Sequence, residues 1–253
     1  MPHKQTPYLP PRLGLGVNGP AGKKGNGRGR GQGAPAFNLL TLTPYLWLDA
    51  SDSATITIDT GVDYRGDKSG NALHATNTAD ATQPAYASAA LNGLNVVRFN
   101  GSDDTIGRTS GFDNAAAAYS IFSVLKIDAD PPTAPANGLW TLQIGSNGSS
   151  DHYPFDDGNL YIGTFSTARK NTGVNPTTAL TTARVFNVDS ATNAYTIRID
   201  GTQVYTTATN TVGMNTSYIL GNSRGTNFFD GDLAEVVVFT SVLSQTNRQK
   251  VEG

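Results

Sequence analysis

From Phe37 onward, short runs rich in aromatic and β-branched residues are separated by clusters of Gly, Asn, Asp and Ser, the pattern of strands punctuated by turns. Ten segments predict strands: Tyr45–Asp49, Val96–Phe99, Tyr119–Ile127, Leu139–Gly145, Asn159–Phe165, Arg184–Val188, Tyr195–Asp200, Gln203–Thr206, Tyr218–Gly221 and Leu233–Phe239. Tyr195-Thr-Ile-Arg-Ile199 alternates apolar and polar residues as a half-solvated strand does. Asp200-Gly201 then supplies a two-residue hairpin turn into Gln203–Thr206. Val236–Phe239 is apolar at every position, which predicts a central strand buried on both faces. Helix is scarce, and Ser244–Glu252 predicts at most two terminal turns with Ser244 as N-cap. About ten strands with so little helix imply an all-β fold of two packed antiparallel sheets, a sandwich or jelly roll.

Such a core needs no staple. A chain of 253 residues buries roughly 70–75% of its unfolded surface. The absence of cysteine excludes a disulfide scaffold, cysteine-ligated zinc and thiol catalysis. No apolar run approaches the roughly 20 residues of a membrane helix, and the first residues lack the apolar centre of a signal peptide, so neither membrane nor export is expected.

Charge divides the chain in two. Residues 1–37 hold Lys4, Arg12, Lys23, Lys24, Arg28 and Arg30 and no acid, which leaves twelve basic and 20 acidic residues for the rest. This first stretch is rich in Gly and Pro, has no periodicity, and cannot bury enough apolar surface to offset its ordering entropy. It reads as an extended arm that becomes ordered against something else. Some 37 extended residues reach about 120 Å, so a neighbouring subunit is the favoured support. Gly14-Leu-Gly-Val-Asn-Gly19 matches a dinucleotide-binding fingerprint by letter but lacks the preceding strand and the following helix. The Arg-Gly spacing of the arm suits salt-sensitive nucleic-acid contact, yet protein docking explains it better and nucleic acid is not expected as a partner.

Residues spread over the remainder carry a family resemblance. Leu46-Trp47-Leu48-Asp49-Ala50-Ser51-Asp52, then Asp67-Lys68-Ser69-Gly70-Asn71 with His74-Ala75, then Gln83-Pro84 and Val96-Val97-Arg98-Phe99 follow one another. Ile199-Asp200-Gly201, Phe229-Asp230-Gly231-Asp232-Leu233-Ala234-Glu235-Val236 and Leu243-Ser244 complete the order. Over roughly residues 44–252 this resembles the concanavalin A-like, laminin-G-type jelly-roll modules of bacteriophage and bacterial surface proteins. The resemblance implies a jelly-roll body over residues 38–253 behind the arm of residues 1–37. It implies little about activity, since one fold hosts many functions.

Retaining glycoside hydrolysis needs two carboxylates about 5 Å apart. Only two of the 20 acids are glutamates, Glu235 and Glu252, and Glu235 has no second glutamate within sixteen residues, so no catalytic residue is expected. His3, His74 and His152 have no metal-ligand spacing. Modules of the type resembled often hold one calcium ion. Asp67 and Asn71, with Asp230 or Asp232, have suitable oxygens. The plainer alternative is that these residues cap their own turns, and no cofactor is then needed. Aromatic and amide side chains in 151–157 and 222–229 have the composition of a lectin site, with Tyr153, Phe155, Asn222 and Phe228 as the candidates.

The expectation is a non-enzymatic virion protein of a tailed bacteriophage, assembled in the host cytoplasm. The arm docks on other virion proteins and the jelly roll faces outward, as a capsid decoration, head fibre or tail component. A homo-oligomer, with three copies around a local axis, would suit either position. The alternative is a lectin-like adsorption module that binds a host-surface glycan.

Overall fold

A computed structural model describes residues 37–112, 115–131, 136–142, 151–223 and 227–253. The candidate arm residues Lys4, Arg12, Lys23, Lys24, Arg28 and Arg30 lie outside the described residues, as do 143–145 of the expected Leu139–Gly145 strand.

In chain order the strands are β1 (Leu46–Asp49), β2 (Ile56–Ile58), β3 (Val62–Arg65), β4 (Ala75–Thr76), β5 (Ala85–Leu91), β6 (Leu94–Asn100), β7 (Ile106–Arg108), β8 (Ala118–Ile127), β9 (Trp140–Thr141), β10 (Tyr161–Ile162), β11 (Lys170–Asn171), β12 (Arg184–Ala191), β13 (Ala194–Ile199), β14 (Thr202–Thr207), β15 (Tyr218–Leu220), β16 (Asn222–Ser223), β17 (Asn227–Phe228) and β18 (Asp230–Phe239). A large sheet runs β14-β13-β12-β8-β18-β6-β5, with β1 also paired to β18. A small sheet runs β2-β3-β4-β7-β15-β9. Their pairings are antiparallel, so the body is the expected all-β sandwich.

β18 is the centre of the large sheet because it is apolar on both faces. Val236 and Val238 point between the sheets with Leu46, Leu48, Ile121 and Tyr218, while Val237 and Phe239 point outward. The outward residues are covered: Phe122, Val185, Val237 and Phe239 pack with Leu39 and with Val251 of the terminal helix α1 (Gln245–Glu252). The Ser244 hydroxyl accepts from the Asn247 amide and caps that helix as expected. The Asp200-Gly201 turn is also as expected, both residues having positive φ (49° and 73°), as a two-residue type I′ hairpin requires.

β18 changes partner along its length. Asp230–Leu233 pairs with β6 and Glu235–Val238 with β1, and a bulge against β8 marks the changeover. The Ala234 carbonyl at this point accepts from the Ala50 amide and from Arg65, which reaches across the sandwich from β3. The guanidinium of Arg65 thereby clasps the two sheets, also donating to the Leu48 carbonyl at 3.2 Å.

Several expected boundaries shift. Asn159–Phe165 is a strand only at Tyr161–Ile162, where a short ribbon with β11 replaces sheet pairing. The strands β2, β3, β4, β5 and β7 were not expected from the sequence pattern.

Candidate functional site

An open groove lies on the outer face of the small sheet. Thr76 of β4 pairs with Gly107 of β7, Gly107 with Ile219 of β15, and Ile219 with Thr141 of β9, so four residues form one row across the strands. Gly107 is required there. A Cβ at this position would sit 2.2 Å from the Tyr218 carbonyl oxygen and 2.9 Å from the Ile219 Cα. A central strand without a side chain leaves a notch between Thr76 and Ile219, and strand alternation brings Thr105 and Ser217 to the same face.

The notch is the middle of a groove of about 600 Å³, a volume within the range of small-molecule sites. Asn77 and Thr82 bound one side of it and Phe228 another. The first wall is held firmly, because the Asn77 amide donates to the Thr82 carbonyl at 2.8 Å and to the Thr105 carbonyl at 2.7 Å. Ile219 is 39% exposed, an uncovered aliphatic surface in a row of hydroxyl-bearing neighbours. Such a surface can take a ligand with an apolar face and a hydroxylated edge.

Two of the four glycan candidates from the sequence line this groove, Asn222 and Phe228. Tyr153 does not reach a surface at all. It is fully buried with its ring 4.8 Å from Phe186 in the core, so the expectation of a sugar contact there is corrected. Phe155 is half-buried and packs against His152 (4.8 Å) and Tyr161 (5.1 Å) rather than lining the groove. The two candidate loops do meet: His152 Nε2 lies 3.2 Å from Asn227 Oδ1.

The calcium candidates are not brought together. Asp67 Oδ1 accepts from the Trp47 and Ser69 amides and Oδ2 from the Ser69 hydroxyl and the Leu73 amide, so it organises its own loop. Asn71, in the same loop, donates to the Tyr45 carbonyl just ahead of β1. Asp232 is committed elsewhere, to a two-point pair with Arg98 at 2.8 Å and to Lys126 at 3.3 Å, while Asp230 sits against Gly101. Among the described residues no three His, Asp or Glu side chains form a metal-holding group.

The sequence missed one carboxylate pair. Glu235 and Asp49 lie directly opposite each other on β18 and β1, although 186 positions separate them in the chain. Both are buried, Asp49 against Lys68 at 2.9 Å and Glu235 under the Trp47 indole, whose Nε1 donates to it at 2.6 Å. Lys68 covers the Trp47 ring at 4.4 Å. Burial, with the nearby Asp49 charge adding to it, pushes the Glu235 carboxyl up to about 8, so it stays largely protonated at neutral pH. Burial likewise pulls Arg65 down to about 10, which leaves it charged beside this pair. These groups are enclosed, with both carboxylates buried.

No protein-family profile and no curated protein matches the chain. Solved structures do. Domain 4 of AbnA, a GH43 extracellular arabinanase from Geobacillus stearothermophilus solved with arabinotriose, is similar with a TM-score of 0.61 at 15% identity, over 83% of this chain and 98% of that one. Trypanosoma rangeli sialidase with 2,3-difluorosialic acid is similar at 0.56 and 11% identity, over 83% of this chain. The binding domain of Botulinum neurotoxin serotype D is similar at 0.55 and 12% identity, again over 83% of this chain. The chain spans 32% of the sialidase and 50% of the toxin domain. At these identities the likeness establishes the β-sandwich fold.

Proposed function

We propose that this chain is a non-enzymatic glycan-binding module whose ligand lies in the groove across β4, β7 and β15. The observation that carries the reading is the row Thr76–Gly107–Ile219, an aliphatic surface beside a side-chain-free notch and ringed by hydroxyls. A sugar ring presents the complementary pattern, with C–H groups on one face and hydroxyls on its rim. The arabinotriose held by the arabinanase domain supports the choice of ligand class. The enclosed state of Asp49 and Glu235 supports binding without hydrolysis, because hydrolysis needs two carboxylates at the scissile bond. A glycan array with the full chain tests this. Binding that disappears in Thr76→Trp, which fills the notch, with an unchanged melting temperature is the expected result. Failure to retain any glycan overturns the proposal.

The charge division favours a second, compatible reading. We propose that residues 1–37 dock the module on a larger particle, a phage virion, where the groove would serve adsorption to the host. Six positive charges facing an acidic body of the same or a neighbouring protein would steer and hold such docking. Deletion of residues 1–36 is expected to abolish particle incorporation while leaving the melting temperature of the body unchanged. Normal incorporation of the deleted form rejects it.

A further inference from the structure

The groove extends along β7, and its hydroxyls are spread over that length. Ile106 is buried in the core, so alternation turns Thr105, Gly107 and Thr109 to the outer face. At about 3.3 Å of rise per residue, Thr105 and Thr109 lie about 13 Å apart with the side-chain-free notch midway between them. The register sets Ile219 of β15 opposite Gly107, and one step beyond the Tyr218–Arg108 pair it brings Ser217 beside Thr109. Thr76 flanks Gly107 from the other side. The groove therefore has a middle station at Gly107, Thr76 and Ile219, one end station at Thr109 and Ser217, and another at Thr105. Among the described residues, the hydroxyls of Thr76, Thr105, Thr109 and Ser217 have no hydrogen-bond partner, so every station holds a free donor and acceptor. Thr82 in the wall differs, because its hydroxyl donates to the Ala79 carbonyl and accepts from the Asn77 amide.

Resting on the glycan-binding reading above, we infer that the groove takes a linear oligosaccharide of at least three rings lying along β7, and that a single sugar fills only its middle station. A chain of linked rings matches the order of the stations. The C–H face of the central ring lies on Ile219 at the notch, and the rim hydroxyls of the flanking rings meet Thr105 on one side and Thr109 with Ser217 on the other. Each end station adds at least one net hydrogen bond, which is about two- to tenfold in affinity, so the two together favour a trisaccharide over its monosaccharide by about tenfold.

The test uses the full chain and length series from mono- to hexasaccharide of arabinan, glucan, galactan, mannan and chitin backbones, screened on an array and then titrated in solution by calorimetry. In a series that binds, affinity is expected to rise by about tenfold from the monosaccharide to the trisaccharide and to level off soon after. Thr109→Ala and Thr105→Ala remove one end hydroxyl each, and each should shrink the ratio of trisaccharide to monosaccharide affinity several-fold at an unchanged melting temperature. If either variant does not fold, the length series and the other variant decide. A monosaccharide that binds as tightly as its trisaccharide overturns the inference while leaving the glycan reading intact. A gain with length that neither substitution alters places the added rings off β7 and overturns it as well. If no member of any series binds, the glycan reading fails and this inference falls with it.

Discussion

On the outer face of the large sheet, Val237 and Phe239 lie beneath Leu39 and Val251, while on the outer face of the small sheet Ile219 is 39% exposed. Both faces carry aliphatic residues pointing away from the core, and the chain treats them oppositely. The large sheet is sealed by α1 and by the turn at Leu39–Leu42, and ion pairs of Arg98 with Asp232 and of Arg198 with Asp189 tie down polar side chains on it. The small sheet has hydroxyl-bearing residues and a glycine notch where a cover would otherwise sit. Apolar surface that a fold covers contributes stability. Apolar surface that it leaves open beside hydrogen-bonding groups is more informative about function.

Substitution should separate the two faces most sharply at Phe239. Phe239→Ala removes a ring that is 1% exposed and packs edge-on against Phe122 at 6.0 Å, and should cost about 3–5 kcal/mol, read as a fall in the midpoint of urea unfolding. A loss under 1 kcal/mol would mean that the covering layer does not stabilise the body.

Smaller in size is the pH response of the sealed face. Glu235 keeps its proton up to about pH 8 in the folded chain but only to near 4.5 when unfolded, so folding holds a proton between those values. Its contribution is therefore complete below about pH 4.5 and is lost as pH rises toward 8, at no more than about 1.4 kcal/mol per pH unit. Asp151, fully buried with its carboxyl pushed up to about 7 by desolvation, acts in the same direction but is spent by that pH. Melting temperatures should therefore fall from pH 5 to pH 8. Glu235→Gln, which keeps an acceptor for the Trp47 indole, should flatten the part between 7 and 8. A slope there that survives the substitution would place its origin elsewhere. The helix that seals this face gives a lesser handle: Ser244→Ala removes its cap and should cost about 0.5–2 kcal/mol in the same unfolding assay.

The sealed face was the legible one. Leu233–Phe239 is apolar at nearly every position, and Asp200-Gly201 and Ser244 carry local turn and cap chemistry that sequence reasoning can use directly. The open face was legible only in part, at Tyr218–Gly221, Asn222 and Phe228, for a physical reason. The strands that build it are two to three residues long, β4 is Ala-Thr, and β7 has glycine at its centre, where a strand signal is weakest. Aromatic content pointed instead to Tyr153, and a buried ring looks the same in sequence as an exposed one. The Asp49–Glu235 pairing depends on joining the first strand to the last, which no local spacing encodes.

Ile219 gives the smallest stability effect and the most specific test of the contrast. Its side chain has no layer above it to lose, so Ile219→Ala should change unfolding free energy by no more than about 0.5 kcal/mol. The same change strips the aliphatic floor from one side of the Gly107 notch. A methylene in an apolar contact contributes about 0.8 kcal/mol, so removing three carbons from a buried ligand contact should weaken glycan affinity by at least tenfold. Titration calorimetry and thermal melts on one preparation read both quantities. A variant that melts normally and has lost affinity separates the open face from the sealed one. A variant that melts early would show Ile219 to be part of the packing after all, and the two faces would then differ in degree only.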